Sequence, residues 1–368
     1  MSDSPPASER LERLLTACIE AGASDLHLAP EISPMLRIDG VLRPIEGAPI
    51  PNAGDLQEIA ALIAPRHPDG PECGSIDGAM SGPRLTRFRF NIFRRQGNLA
   101  IALRRLEETF LSLAELGLPP SLESLCDLRD GLVVVGGPAG AGKSTTLGTL
   151  LDRINRTRAC HLVTIEDPIE FIHRPIKALV NQRQVGIDAP SFSDALIAAL
   201  RQDPDVILVG EARDLATIRT AITAAETGHL VFTTAHAGDC VGIVERLISV
   251  FPAEEQEGIR RQLCLVLRTA VAQHLLPTGH EEGHTRRVAA CEVLHVNSAV
   301  ANLIATGKTT QIYSVMEASG AQGMQTLEQD LARLCVAGQI SEQVAAARAR
   351  NPGVMRDRMN YLWKHSMH

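Results

Sequence analysis

Gly137-Pro138-Ala139-Gly140-Ala141-Gly142-Lys143-Ser144 reads G-x-x-x-x-G-K-[ST], the pattern of a phosphate-binding loop. Both flanks have the character such a loop needs. Leu132-Val133-Val134-Val135 before it is an apolar, β-branched run suited to a buried parallel strand. Thr145 to Leu151 after it continues as a helix. The glycines let the backbone curl until successive N–H groups point at phosphate oxygens, and the helix N-terminus adds the positive end of its dipole. Residues Gly137, Pro138, Ala139, Gly140, Ala141 and Gly142 then form the cradle, with Thr145 behind it. Lys143 reaches the β- and γ-phosphates, and the Ser144 hydroxyl sits on Mg²⁺.

Working outward, one pattern recurs: an apolar strand followed by a polar residue at its carboxyl end. His161-Leu162-Val163-Thr164-Ile165 leads to Glu166, Asp205-Val206-Ile207-Leu208-Val209 leads to Gly210-Glu211, and His229 to Thr234 leads to His236. Ligands of open α/β sheets bind beyond the carboxyl ends of the strands, so Glu166, Glu211 and His236 are expected at the rim that carries the phosphate loop. Phosphoryl transfer to water needs a metal, a positioned water and positive charge on the γ-phosphate. Glu211 is the candidate to hold Mg²⁺, directly or through water. Glu166 is the candidate to orient or deprotonate the attacking water. His229 and His236 are candidates to sense the γ-phosphate or to bridge to a neighbouring domain. Asp214 is placed to cap a helix with Ile218, Ala221, Ile222 and Ala225 on its apolar face, ended by Thr227-Gly228.

The chain before residue 107 has a different texture. A helix is expected from Glu9 to Gly22 and a strand over 24–28. An Asp39-Gly40 turn lies between two alternating runs, and a second helix is expected over 55–63. In 87–93, Phe88, Phe90 and Ile92 face one way and Arg87, Arg89 and Asn91 the other. In the return strand Leu99, Ile101 and Leu103 oppose Arg104. Most such arginines are a solvated face, but Arg89 and Arg104 are candidates to bring positive charge to the phosphate, as arginine fingers do. The expected division is a first domain over 1–107, a linker with one short helix over 108–130, and a nucleotide domain with a C-terminal helical region over 131–368.

Composition narrows the function. Aromatic residues make up 3% of the 368 residues, and the net charge is −7. Neither favours nucleic acid as a partner, which counts against a RecA-like nucleic-acid motor. Eight scattered cysteines contain no C-x-x-C pair, so a reduced, cytoplasmic compartment is expected. No run reaches the length of a membrane span. His280-Glu281-Glu282-Gly283-His284 matches H-E-x-x-H literally, but a preceding Pro277-Thr278-Gly279 and an internal glycine make it a polar loop rather than a zinc helix. Arg348, Arg350, Arg356, Arg358 and Lys364 with Tyr361 and Trp363 read as a solvated basic tail, with a membrane-platform docking element as the alternative.

Taken together, Ala23-Ser24-Asp25-Leu26-His27-Leu28, Arg89-Phe90-Asn91, the phosphate loop, Thr164 to Glu170, Asp203 to Glu211 and Thr227 to Phe232 resemble the secretion ATPase superfamily, and within it the pilus retraction ATPases of twitching motility. The resemblance runs from about residue 10 to about residue 335. It implies an N-terminal PAS-like α+β domain, a C-terminal RecA-like P-loop domain, a homohexameric ring, ATP and Mg²⁺ as ligands, and an inner-membrane platform protein as partner through peripheral membrane contact. By the same resemblance, Lys143 and Ser144 match the Walker A site, Glu166 the catalytic acid of the Asp box and Glu211 the Walker B acid. His229 and His236 match the His box, and Arg89 and Arg104 the N-domain arginines that reach nucleotide. One departure is Ala301, which stands where the family's A-I-R-N-L motif has its arginine. The implied function is an ATPase motor of pilus retraction. The alternatives are an extension, secretion or accessory paralogue, and a nucleotide-binding regulatory subunit, against which the presence of both Glu166 and Glu211 argues.

Overall fold

The structure, a computed structural model, describes residues 5–38, 40–72, 74–106, 110–278 and 287–366. The chain divides into two compact units, Met1–Thr109 with Pro168–Ile172, and Phe110–Asp167 with His173–His368.

In the first unit, α1 (Ala7–Glu20) buries Leu11, Leu15 and Cys18 at helical spacing. It is followed by β1 (Asp25–Leu28), β2 (Met35–Ile38) and β3 (Val41–Pro44). The β2–β3 hairpin pairs Ile38 with Val41, as the turn signal requires. Asp39 itself lies outside the described residues. Next, α2 (Ala53–Ile63) opens on a reciprocal capping box between Asn52 and Asp55. The remaining strands are β4 (Ser75–Ser81), β5 (Arg87–Arg95) and β6 (Asn98–Arg105). They complete a six-stranded sheet in the order β3-β2-β1-β6-β5-β4, with every paired neighbour antiparallel. Phe88, Phe90, Ile92, Ile101 and Leu103 join residues of α1 and α2 in one core. Phe88 is fully buried, and truncating such a side chain to alanine costs about 3–5 kcal/mol.

The second unit is built on a seven-stranded sheet. Its elements are β7 (Gly131–Gly136), α3 (Lys143–Thr157), β8 (His161–Glu166), β9 (Leu179–Gln184), α4 (Phe192–Ala199), β10 (Val206–Val209), α5 (Leu215–Glu226), β11 (Leu230–Ala235), α6 (Cys240–Ser249), α7 (Ala253–Val266), β12 (Leu267–Pro277) and β13 (Arg287–His295). Helices α8 (Ser298–Ala305), α9 (Ile312–Ala318), α10 (Leu327–Val336), α11 (Glu342–Arg348) and α12 (Pro352–Ser366) follow. The order is β13-β12-β7-β11-β10-β8-β9. From β12 to β9 all neighbours are parallel, and β13 is antiparallel to β12. The central strands are buried on both faces, which is why they read as unbroken apolar runs. Asp214 caps α5 as expected, accepting from Thr217 N–H at 2.9 Å, a contact worth about 1 kcal/mol.

Residues 110–130 depart from the expected linker. Leu113, Leu118, Leu122, Leu125 and Cys126 are buried in the core of the second unit. The Thr149 hydroxyl donates to the Leu111 carbonyl at 3.0 Å. Proline and scattered leucines look like linker in sequence, but here they cover the outer surface of α3. No helix among the described residues is long and apolar enough to cross a membrane, and no cluster of three or more His, Cys, Asp or Glu among them is placed to hold a metal. The H-E-x-x-H segment lies outside the described residues.

Four cysteines sit in the cores: Cys18 in the first unit, and Cys126, Cys240 and Cys291 in the second. Burial pushes the Cys18 thiol up to about 11 and that of Cys126 to about 12, and raises those of Cys240 and Cys291 as well.

Glu292, on β13, is 1% exposed. Its Oε1 accepts from Cys240 N–H at 2.8 Å, while Oε2 has no hydrogen-bond partner among the described residues. Burial, reinforced by Asp239 and opposed by Arg350, lifts its carboxyl from 4.5 to about 7. The fold therefore holds a proton here that the unfolded chain releases near 4.5, and this contribution to stability declines as pH climbs from 4.5 to 7. Glu292→Gln, which mimics the protonated acid, is expected to unfold at nearly the wild-type temperature at pH 5 and above it at pH 8. Thermal unfolding across that range checks this; a difference that does not change with pH would refute the buried-acid assignment.

Candidate active site

Strands β7, β8, β10 and β11 run parallel, so their carboxyl ends share one rim. The phosphate loop leaves β7 at that rim. Gly137 has φ +148° and Gly142 φ +87°, conformations that favour glycine. A Cβ at Gly137 would lie 2.4 Å from the Gln273 carbonyl oxygen, and one at Gly142 2.8 Å from Gln273 Nε2. Gly137 is therefore closed to larger residues by the β12 backbone as well as by its own angle, and Gly142 by its angle, with the Gln273 amide beside it. Gln273 is buried, and its Oε1 accepts from the Thr146 hydroxyl at 2.7 Å. One side chain thus ties β12 to the first turn of α3. Lys143 donates to the carbonyls of Gly137 and Pro138 at 2.9 and 3.0 Å, so its ammonium lies across the cradle itself. Ser144 is exposed in the first turn of α3 and Thr145 half-buried beside it.

Glu166 ends β8. Its Oε1 accepts from the Thr164 hydroxyl at 2.6 Å and from Gln182 Nε2 at 3.2 Å. Glu211 follows β10 at the same rim. Its Oε1 lies 2.8 Å from His236 Nε2 and also pairs with Arg213. The Thr234 hydroxyl donates to the Gly210 carbonyl at 2.6 Å, fixing the turn that presents Glu211. Glu166, Glu211, His236 and the phosphate loop are thus brought together as the strand ends require. Hydroxyl and carboxylate oxygens are hard donors suited to Mg²⁺, and Ser144 with Glu211 fits an ion completed by water and phosphate oxygens.

His229 lies elsewhere in the second unit. It precedes β11 and so lies at the opposite rim, about 20 Å from the phosphate loop for a six-residue strand at ~3.3 Å per residue. There Nδ1 is 2.9 Å from the Ala224 carbonyl and 3.2 Å from the Thr227 hydroxyl, at the end of α5.

In the first unit, Arg89 and Arg104 are cross-strand partners on the face away from α1 and α2. Arg104 Nε donates to Asp25 Oδ1 at 2.8 Å, and Arg37 Nε lies 3.9 Å from Oδ2. Burial raises the Asp25 carboxyl, but hydrogen bonds from Ser24 and Arg104 outweigh it and leave the carboxyl below its usual range. Arg104 is therefore a placed side chain, and it shares Asp25 with Arg37.

Sequence reasoning missed Gln273, Arg213, Thr164 and Gln182. Thr164 and Arg213 stand two residues from the acids they serve, whereas Gln273 and Gln182 reach the rim only through strand register. It also misread Arg348 and Arg350. Arg348 donates to His274 Nδ1 at 2.6 Å and Arg350 pairs with Asp239, so neither belongs to a solvated tail.

Residues 1–345 match the family described as type II/IV secretion system protein. The chain belongs to that family. It is 41% identical over 347 residues to the type IV pilus retraction ATPase PilT of Pseudomonas aeruginosa, covering 93% of this chain and 98% of that one. It is 41% identical over 343 residues to a twitching motility protein of Neisseria gonorrhoeae, covering 93% and 90%. The crystal structure of the pilus retraction motor PilT with bound ADP matches at a TM-score of 0.84 with 40% identity, over 93% of this chain and 97% of that one. The resemblance drawn from the motifs and the two-part α/β fold expected from it both hold.

Gln273→Leu should leave the Thr146 hydroxyl unpaired and loosen the cradle. The expected loss is about 1–3 kcal/mol of stability, with about tenfold weaker binding of a fluorescent ADP analogue, ~1.4 kcal/mol. Thermal unfolding and fluorescence titration measure both. Unchanged nucleotide affinity would show that Gln273 does not shape the cradle.

Proposed function

We propose that this ATPase works as a homohexameric ring that hydrolyses Mg-ATP to drive retraction of a type IV pilus. What supports the reading most is the meeting of the phosphate loop, Glu166 and Glu211 at one rim, in a fold matched over nearly the whole chain by the pilus retraction motor PilT. Lys143 withdraws from the Gly137 and Pro138 carbonyls to hold the β- and γ-phosphates. Bound Mg²⁺ would supply charge neutralisation on the phosphates, with Ser144 and Glu211 holding it, Glu211 through water. Glu166 orients the attacking water and takes its proton, its Thr164 and Gln182 contacts fixing the carboxylate plane. His236 reports on the γ-phosphate through Glu211. His229, at the other rim, acts towards a neighbouring subunit. Arg89 and Arg104 supply positive charge to the nucleotide. The domains divide near residue 107, and the ring engages a platform protein peripherally at the cytoplasmic side of the inner membrane, with no nucleic acid involved. Ala301 on α8, in place of an arginine, favours an accessory paralogue as the second reading, with the same chemistry.

Glu166→Gln should bind ATP normally while hydrolysis falls about 10²-fold or more; equal loss of binding and turnover would indicate a structural role instead. Mixed into wild type, such subunits should depress activity more than in proportion to their fraction. A strictly linear mixing curve, with a monomer active at every concentration, would rule out the ring. A chromosomal deletion that leaves pili abundant and twitching lost supports retraction, whereas loss of pili points to extension.

A further inference from the structure

The turn from β11 into α6 carries His236, and the C-terminal end of the chain grips it at two points. Asp239 caps α6 through Oδ1, which accepts from Gly242 N–H at 2.6 Å. Its Oδ2 pairs with Arg350. One residue earlier, the Gly238 carbonyl lies 2.8 Å from His274 Nε2, and Arg348 Nη2 lies 2.6 Å from Nδ1 and 2.8 Å from Nε2 of the same ring. Burial lowers the His274 imidazole below its usual range, which favours the neutral ring that can accept from Arg348. Arg350 is itself held along its whole length. Its backbone N–H and that of Asn351 donate to buried Glu328 Oε1 at 3.0 and 3.1 Å. Its guanidinium lies 5.1 Å from the centre of the Tyr313 ring, whose hydroxyl donates to Glu328. A segment anchored this firmly by a buried acid does not follow the loop; the loop follows it.

We propose that Arg348 and Arg350 are positioning residues for nucleotide hydrolysis, setting the turn after β11 so that His236 meets Glu211. This rests on the reading of the carboxyl rim as the hydrolytic site. The C-terminal helices, remote in sequence from every nucleotide motif, thereby govern the geometry of the His236–Glu211 pair.

The test uses the full chain and compares steady-state kcat, KM and thermal unfolding. Asp239→Asn keeps an oxygen for the α6 cap but loses the charge that holds Arg350. Arg350→Ala removes the other partner. Each is expected to lower kcat about tenfold with KM within about twofold, and the double variant to fall no further, because both delete one interaction. Arg350→Lys should restore part of the rate, and His236→Ala should lose at least as much as Arg350→Ala. Additive losses in the double variant, or losses that track the folded fraction, overturn the proposal. Wild-type rates in Asp239→Asn and Arg350→Ala beside an impaired His236→Ala overturn it while leaving the site reading intact. A wild-type rate in His236→Ala overturns the assigned role of His236 and the positioning role together.

Discussion

The site depends on the backbone of β12 lying against the phosphate loop. The Gln273 carbonyl approaches Gly137 so closely that no side chain fits between them. Its side-chain amide lies beside Gly142 and holds Thr146 in the first turn of α3. A loop that must leave its N–H groups pointing outward cannot satisfy itself internally, so its shape has to be imposed from outside. Here a neighbouring strand imposes it. The strand is in turn fixed by parallel pairing to β7 and antiparallel pairing to β13.

The acids at the rim obey a complementary rule. Each catalytic candidate spends one oxygen on side-chain donors from the scaffold: Thr164 and Gln182 on Glu166, His236 and Arg213 on Glu211. Such donors cost little to reorganise during reaction and fix the direction in which the other oxygen acts. Glu211 meets a guanidinium and an imidazole, so the local charge around it changes whenever that turn moves.

Legibility followed locality. The phosphate loop, the apolar strands and the Asp214 cap could be read because each is a contiguous pattern with its own physics. Within the stretch 108–130 read as linker, Pro119-Pro120 and irregular leucines carry no period, although Leu113, Leu122 and Leu125 are core residues. That His229 and His236 flank β11 at opposite rims is fixed by the parallel register of that strand with β7. Gln273 and the inward turn of Arg348 and Arg350 depend on pairing between segments far apart in the chain, for which the sequence holds no local sign.

The buried cysteines carry a further consequence. A thiol reacts as its thiolate, and burial keeps Cys18, Cys126, Cys240 and Cys291 protonated. In the folded protein they are inert to alkylation, and they become reactive only when the surrounding packing opens. Cys18 lies in the core of the first unit, while Cys126 and Cys291 lie on one side of the large sheet and Cys240 on the other. The protein therefore contains its own set of opening reporters. The rate at which each thiol is modified reads out the free energy of local unfolding of its own layer, and can tell whether the first unit loosens before the nucleotide-binding sheet does.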